Sequence, residues 1–389
     1  MNRTYKYRLY PSRKQQEALD FQLWQMRTVY NDALAERRWM WERSRLGVSY
    51  RQQWARFKQA RKDFPDTIGQ LNGTGTQQML RRLDKAFNAF FRRIKRGETA
   101  GYPRFKGRDR FKSLEYKHGD GCKLRTDVAG RQLLYIQRVG EVKVKFHRPI
   151  PDNAVIKHVV VKQQNGKWYV TLMLQLPDVK VVHPTGRQVG IDVGLHSLLA
   201  LSDGGLYDNP RWLKKSLADL RVASRRLARR KKGGKRRQKA AVQVARLHEK
   251  IANQRRDYWH KTTRQLVDRY GLVAIEDLNL AFMSRNKHLS RSAHDAGLGM
   301  FRQLLEYKAE EAGTQLVAVN PRNTSQECSG YACDRVVPKT LKVRVHQCEC
   351  GLIMDRDVNA ARNILALGRS VQELTYPNGE GVVLRSSPL

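Results

Sequence analysis

The chain opens on a period of two. Residues 3 to 10, RTYKYRLY, alternate polar and apolar positions as a half-buried strand does, and Pro11 closes the run. The period then lengthens: Leu19, Leu23, Met26, Tyr30, Ala33 and Leu34 share one helical face, and Leu80, Leu83, Phe87, Phe90 and Ile94 share another. Both opposite faces are basic, so a strand followed by a helical insertion is expected.

From about Gly101 the pattern turns back to strands, in GYPRFKGRDRF, RQLLYIQRVGEVKVKF and AVIKHVVVKQQNGKWYVTLMLQL, with a hairpin signal at Asn165-Gly166. This predicts an all-β unit interrupted by helices. Pro177 to Arg187 is polar and reads as a linker. Beyond it QVGIDVG is a buried strand, HSLLALSDG its hairpin partner turning at Gly204-Gly205, and LYDN a third. Leu217, Leu220, Ala223 and Leu227 then follow a helical spacing that breaks at Gly233-Gly234 and resumes at Val244, Leu247 and Ile251, a helical hairpin with a basic tip. GLVAIEDLNL and TQLVAVNP read as parallel strands on either side of a helix at FRQLLEYKAEEAG, and VNAARNILALG as a last helix before a disordered tail from Arg369.

Charge narrows the class. The 389 residues carry 75 Lys and Arg against 36 Asp and Glu, a formal +39, which predicts a polyanionic partner. Basic residues interleaved with Tyr, Phe and Trp favour nucleic acid, since cations neutralise phosphates and rings stack on bases. No 18-residue apolar run and no secretory leader occur, so a soluble, cytoplasmic protein is expected. The ten basic residues from Arg225 to Lys239, among them Arg229, Arg230, Lys231, Lys232, Lys235 and Arg236, suggest backbone contact with folded RNA or a heteroduplex.

Three acids stand at the ends of apolar elements: Asp192 within VGIDVG, Glu276 ending VAIEDL, and Asp357 at the start of the last helix. An acid in an apolar strand needs a partner or a metal, and each alone could be capped or ion-paired. Together they fit a sheet whose strand ends and a helix N-terminus converge, where the trio would hold two Mg²⁺ or Mn²⁺ ions for phosphodiester hydrolysis. Asp355 is the reserve for Asp357. Four of the five cysteines cluster as Cys328-SGYA-Cys333 and Cys348-E-Cys350, two close pairs as a zinc ribbon requires, with reduced thiols as the alternative and His346 as a substitute ligand. Cys122 stands alone and reads as a core residue.

Taken together, YRLYPSRKQQ, VYNDAL, GYPRFKGR, GIDVGLHSLLALSDG, AIEDLNL and SQECSG…CECG…DRDVNAARNIL resemble the TnpB proteins of bacterial transposons, RNA-guided nucleases related to type V CRISPR effectors. The resemblance implies a multidomain α+β fold: an N-terminal β-barrel (wedge) carrying an inserted helical recognition bundle, then an RNase H-like (RuvC) α/β domain with a zinc-ribbon insertion. The expected boundaries are 1–10 for the first barrel strand, 11–100 for the helical insert, 101–180 for the barrel, 187–321 for the first part of the nuclease domain, 322–353 for the ribbon, 354–368 for the final helix and 369–389 for the tail.

It also implies Asp192, Glu276 and Asp357 as catalytic ligands of two Mg²⁺ or Mn²⁺ ions, and Cys328, Cys333, Cys348 and Cys350 as ligands of one Zn²⁺. The family spaces both cysteine pairs by two residues, whereas this chain separates them by four and by one. The implied partners are a guide RNA from the transposon end and double-stranded target DNA, with Tyr50 and Gln77 reading a short motif beside the target and Arg104 and Lys106 touching nucleic acid. In such a machine the protein reads the short motif and base pairing reads the rest. One acting copy is expected, with two as the alternative. A guided but non-cleaving repressor, an integrase-class transposase, and a plain RNA-binding protein with a zinc ribbon, which would leave the acids without a role, are the rival readings.

Overall fold

The computed structural model describes residues 2–177, 183–278, 280–340 and 343–375, in two compact units, Met1–Asp178 and Val179–Leu389. The first unit is a closed seven-stranded barrel with a helical insertion after its first strand. Its elements are β1 (Asn2–Tyr10), α1 (Arg13–Ser44), α2 (Tyr50–Asp63), α3 (Gly73–Lys95), β2 (Ser113–His118), β3 (Gly121–Thr126), β4 (Gln132–Ile136), β5 (Gly140–Lys145), β6 (Val155–Gln164) and β7 (Lys167–Gln175). Around the barrel the order is β1-β5-β4-β3-β2-β6-β7. The opening alternation drives this closure: Tyr5, Tyr7 and Leu9 point inward with Leu134, Ile136, Val159, Val161, Val170 and Leu172, while β1 pairs antiparallel with β7 and, at its end, with β5. The β6–β7 turn holds Asn165 at φ 50° and Gly166 at φ 75°, the doubly left-handed geometry that Asn-Gly accepts at little cost. Cys122 lies in this core, its thiol pushed up to about 12 by burial.

Two features of this unit depart from the sequence pattern. The segment 101–107 forms no strand. Gly101, Pro103 and Gly107 suit it poorly to a ladder, and its backbone is held by a side chain instead: the Lys106 N–H donates to Asn31 Oδ1 at 2.8 Å and Asn31 Nδ2 donates to the Lys106 carbonyl at 3.1 Å. The strands lie further on, in the short charged runs SLEYKH and GCKLRT. The second departure is α2, whose apolar stripe is thin but whose start is marked by a capping box, Ser49 with Gln52. Buried Arg37 binds the three helices together, reaching Gln53 at 2.8 Å and Asp84 at 3.1 Å.

The second unit is built on a five-stranded sheet of order β10-β9-β8-β11-β12. Its elements are β8 (Gln188–Val193), β9 (Ser197–Leu201), β10 (Leu206–Asp208), α4 (Trp212–Ala228), α5 (Lys235–Arg269), β11 (Leu272–Glu276), α6 (Leu280–Arg285), α7 (Ser290–Ala296), α8 (Leu298–Ala312), β12 (Gln315–Val319), β13 (Val345–Gln347), β14 (Ile353–Asp355) and α9 (Arg356–Thr375). The three strands β8 to β10 are antiparallel, and β11 pairs parallel with both β8 and β12. One face packs Val189, Ile191, Val273 and Ile275 against Trp259, Leu266, Phe301 and Leu305; the other packs Leu272, Ala274, Val317 and Val319 against Ile364 of α9. α4 and α5 form the hairpin expected, and α4 is capped from outside its own chain segment, by buried Asp295, which accepts from Leu213 N at 2.9 Å and Lys214 N at 3.3 Å. The last helix runs to Thr375 rather than 368, because Val371 prolongs its apolar face; residues 376–389 of the expected tail lie outside the described residues.

α9 lies against the sheet backbone itself. A Cβ at Gly190 would stand 2.0 Å from the Ala361 carbonyl and 2.6 Å from Leu365 N, and one at Gly368 would stand 2.5 Å from Ala274 Cβ. Gly190→Ala should therefore cost about 3 kcal/mol or more in a urea melt. Gly186→Ala, with nothing within 4 Å, serves as the neutral control.

Candidate catalytic and metal centres

Strand parity places the acids. Successive side chains leave a strand on opposite faces, so Asp192 emerges on the face of Gly190, and Glu276 on that of Leu272 and Ala274, which is the face covered by α9. The parallel register pairs Gly190 with Ala274 and Ile191 with Ile275, so one step further Asp192 and Glu276 are neighbours at the strand ends. Asp357 sits in the first turn of α9, one turn before Ala361, which covers Gly190. The three acids thus gather at one end of one face.

Their electrostatics report the gathering. Burial, and then the negative charges of Glu276 and Asp357, push the Asp192 carboxyl up to about 8. Burial raises Glu276 as well, against a 2.5 Å hydrogen bond donated by Thr324 Oγ1. Asp357 is raised by burial and by the Asp355 charge, and eased by Arg344 at 3.6 Å and by Arg356 and His196. Each of the three carboxyls is thus held above its ordinary range by burial, two of them also by a neighbouring carboxylate, and a bound cation would relieve that cost. Asp355, the reserve, is otherwise engaged: it caps α9, accepting from Asp357 N at 2.8 Å and Val358 N at 3.2 Å.

Five supporting side chains were not singled out by the sequence. Thr324, Asn359 and Asn363 form one network: Asn363 Nδ2 donates to the Thr324 carbonyl at 2.9 Å, both asparagines donate to the Glu327 carbonyl, and Ser329 N donates to Asn359 Oδ1 at 3.0 Å. The signal was present as two asparagines spaced i, i+4 on the helix face that also carries Ala360 and Ile364, the face turned to the sheet. Arg344 and His196 line a cavity of about 510 Å³ with Arg211, Lys214 and Arg291. Thr324→Val should leave the Glu276 carboxylate without its donor and cost about 1 kcal/mol in a urea melt at pH 7, with Thr324→Ser restoring the stability.

The four thiols close into one group, all sulfurs within 4.8 Å of one another, a tightness that the three acids do not share. Cys328 and Cys350 are 3.6 Å apart and Cys333 and Cys348 are 3.8 Å apart. A tetrahedron with Zn–S bonds of about 2.3 Å has edges of about 3.8 Å, so this donor set fits Zn²⁺, and a disulfide at about 2.05 Å is excluded. The unusual spacings are absorbed locally: Ala332 turns left-handed at φ 52° within the longer loop, and Gly351 at φ 91° reverses the chain beside the shorter one, its N–H bonded to the Cys348 carbonyl. Burial raises Cys328 to about 12, while the Leu352 N–H draws Cys350 down to about 7. His346 is not part of the group; it is buried in β13 with Nδ1 on the Lys339 amine.

The expected nucleic-acid residues fall in three places. Tyr50 opens α2 and Gln77 lies in α3, and the Arg81 guanidinium, one turn beyond Gln77, stands 5.7 Å from the Tyr50 ring. Arg104 is exposed, whereas Lys106 is half-buried with its ammonium 5.8 Å over Tyr30. Arg229, Arg230, Lys231, Lys232, Lys235 and Arg236 are all exposed at the α4–α5 tip, which Arg237 closes by donating to the Leu227 and Arg230 carbonyls.

A barrel with a helical insert, and an RNase H-like sheet with an acidic end and a cysteine ribbon, define a class of nucleic-acid enzymes, and comparison with known proteins makes it specific. Residues 158–287 match a family model described as a probable transposase, residues 299–364 one described as a Cas12f1-like TNB domain, and residues 1–45 one described as a helix-turn-helix domain. The last stretch folds as β1 and the single unbroken helix α1. A "Putative RNA-guided DNA endonuclease" of Streptomyces pristinaespiralis is 34% identical over 374 residues, covering 95% of this chain and 90% of that protein. The InsQ protein of Escherichia coli (strain K12), which bears the same description, is 32% identical over 311 residues, covering 76% and 74%. In fold, the chain resembles Cas12f1 in its cryo-EM complex with sgRNA and target DNA, with a TM-score of 0.62 at 16% identity, covering 94% of this chain and 98% of that one. The chain belongs to the TnpB family, the IS605 OrfB proteins, and its second unit is a RuvC-like domain with a ribbon insertion. Among the described residues no helix is long and apolar enough to cross a membrane.

Proposed function

We propose that this chain is a cytoplasmic RNA-guided DNA endonuclease, encoded by a transposon, that cuts DNA next to a short motif by metal-assisted hydrolysis. The observation that carries the reading is the convergence of Asp192, Glu276 and Asp357 at one end of the α9 face. Asp192, Glu276 and Asp357 would hold two Mg²⁺ or Mn²⁺ ions, which when bound activate water and stabilise the leaving oxygen. Asp192 holds its proton near neutral pH, so its conversion to a ligand releases a proton. Thr324 fixes the Glu276 carboxylate, and Arg344 with the other cations of the adjoining cavity would hold the phosphates of the strand to be cut. Cys328, Cys333, Cys348 and Cys350 would take one Zn²⁺ and keep residues 324–329 in place. The guide RNA would lie along exposed cations such as those of the α4–α5 tip, and Tyr50 and Gln77 would read the motif, with boundaries as in the family layout.

The relatives' names and the Cas12f1 complex support RNA and DNA as partners. The test is to express the chain with the DNA that flanks its gene, sequence the RNA that co-purifies, and incubate the complex with a matching target and Mg²⁺. Free 5′-phosphate ends at a defined site support the endonuclease. Joined strands would point to a transposase, in keeping with the description of the matching model, and bound RNA without cutting to a repressor.

A further inference from the structure

The motif GYPRFKGR forms neither strand nor catalytic site, yet it is held in a fixed shape. The reciprocal bonds of Asn31 grip its backbone at Lys106, and the Tyr102 ring is braced from behind by edge-on contacts with Phe87 and Phe90, centroids 5.4 and 5.2 Å away. In front of this loop lies an open recess of about 410 Å³ lined by Arg38, Trp41, Glu42, Tyr102, Arg104 and Phe105. Trp41 is 51% exposed, Phe105 44% and Tyr102 37%, and the Arg38 guanidinium stands 5.8 Å from the Tyr102 centroid and 5.7 Å from that of Phe105. Trp41 and Phe105 stand in water beside two guanidinium groups, of which Arg38 is also paired with Glu42 at 3.5 Å, and Tyr102, packed on Phe87 from behind, keeps its front open to the recess.

We propose that this recess binds one unpaired nucleotide of the chain's RNA, an inference that rests on the reading of the chain as an RNA carrier. Its chemistry is selective in three respects. Rings and a guanidinium plane stack on a nucleobase, and a base inside a duplex is already stacked on its neighbours, so an unpaired one is favoured. Arg104 at the rim supplies the charge that a phosphate requires. Folded RNA presents unpaired bases in loops and bulges without prior melting, which duplex DNA does not. The volume falls in the range of about 300–1,000 Å³ usual for small-ligand sites.

The test uses the full chain with its co-purified RNA, irradiated at 254 nm, digested and analysed by mass spectrometry, together with affinity for a 20-nucleotide oligo(U). Ribonucleotide adducts are expected on the peptides bearing Trp41 or Tyr102 and Phe105. The variants Trp41→Ala and Phe105→Ala remove exposed rings, and each should lower oligo(U) affinity about five- to fiftyfold. An unchanged melting temperature shows that the fold persists, and a variant that does melt early is replaced by Phe105→Tyr, expected to keep affinity, and Phe105→Ser, expected to lose it. Adducts confined to other peptides, adducts to added target DNA in place of RNA, or unchanged affinity in the variants would overturn the proposal. None of these readouts requires cleavage, so a failed nuclease reading shows instead as uncut DNA in the presence of Mg²⁺.

Discussion

Asp192→Asn should abolish Mg²⁺-dependent cleavage and, in metal-free buffer at pH 8, make the chain more stable than the wild type. Both effects have one cause. The Asp192 carboxyl is raised from its ordinary 3.8 to about 8 by burial and by its acidic neighbours. A raised acid favours the folded state while protonated, so its contribution is complete below about pH 4 and is lost as the pH climbs to about 8. Asparagine has no proton to lose, so the stability gap should open across that window and level off above it. A rise from 3.8 to about 8 sets a ceiling of roughly 6 kcal/mol, and relaxation around the charge should leave about 2–3 kcal/mol. Urea melts of both proteins at pH 5 and pH 8 in EDTA measure the gap, and Mg²⁺ should close it by stabilising only the wild type. A gap that stays the same at both pH values would show that Asp192 is not a strained acid. Cleavage within about tenfold of wild type would remove the trio from the chemistry altogether.

That three acids ending apolar elements would gather was legible in sequence, while the side chains around them were not, and both follow from the physics of each. Asp192 and Glu276 interrupt runs of apolar residues, and an acid there stands out because burying it is costly. The sheet could be read for the same reason: buried strands such as QVGID and LVAIE have little choice of environment. Thr324, in contrast, lies in a polar loop where threonine is ordinary, and only the fold brings its hydroxyl to Glu276. Arg344 is one of 75 basic residues and gains its meaning from a 3.6 Å approach to Asp357. The strand expected at GYPRFKGRDRF failed because alternation says nothing of where backbone hydrogen bonds go, and here they go to Asn31. The ribbon shows the converse: spacings of four and one look unfavourable in sequence, and two left-handed residues, Ala332 and Gly351, reconcile them with a closed group of sulfurs.

The ribbon supplies the second large effect. Exchanging Cys348 and Cys350 together for serine should take zinc from one ion per chain to none by elemental analysis, since two of four soft donors would be gone. The consequence should travel to the acids along a defined route. Cys328 N is bonded to the Arg335 carbonyl, the next residue, Ser329, is tied to Asn359, and the preceding Glu327 carbonyl is tied to Asn359 and Asn363 on the helix that begins beside Asp357. Once the sulfurs no longer hold this loop, Thr324 loses its fixed relation to Glu276, and two of the three carboxylates lose their supports. Cleavage should fall about ten- to a hundredfold, in line with the loss of supports around a metal site, while RNA binding at the exposed α4–α5 tip persists. Amide exchange should locate the change, with faster exchange at residues 324–329 and unchanged protection in β1 and β7 of the barrel. An Asp355→Ala variant separates this route from a general weakening of α9, because losing its cap should cost only about 1 kcal/mol and leave zinc in place. If the double serine variant loses its zinc and still cuts at the wild-type rate, the ribbon is an independent appendage and the asparagine network carries no signal to the acids. If zinc and cleavage are lost together and the loop alone exchanges faster, the cysteines act on the reaction through Thr324 and α9.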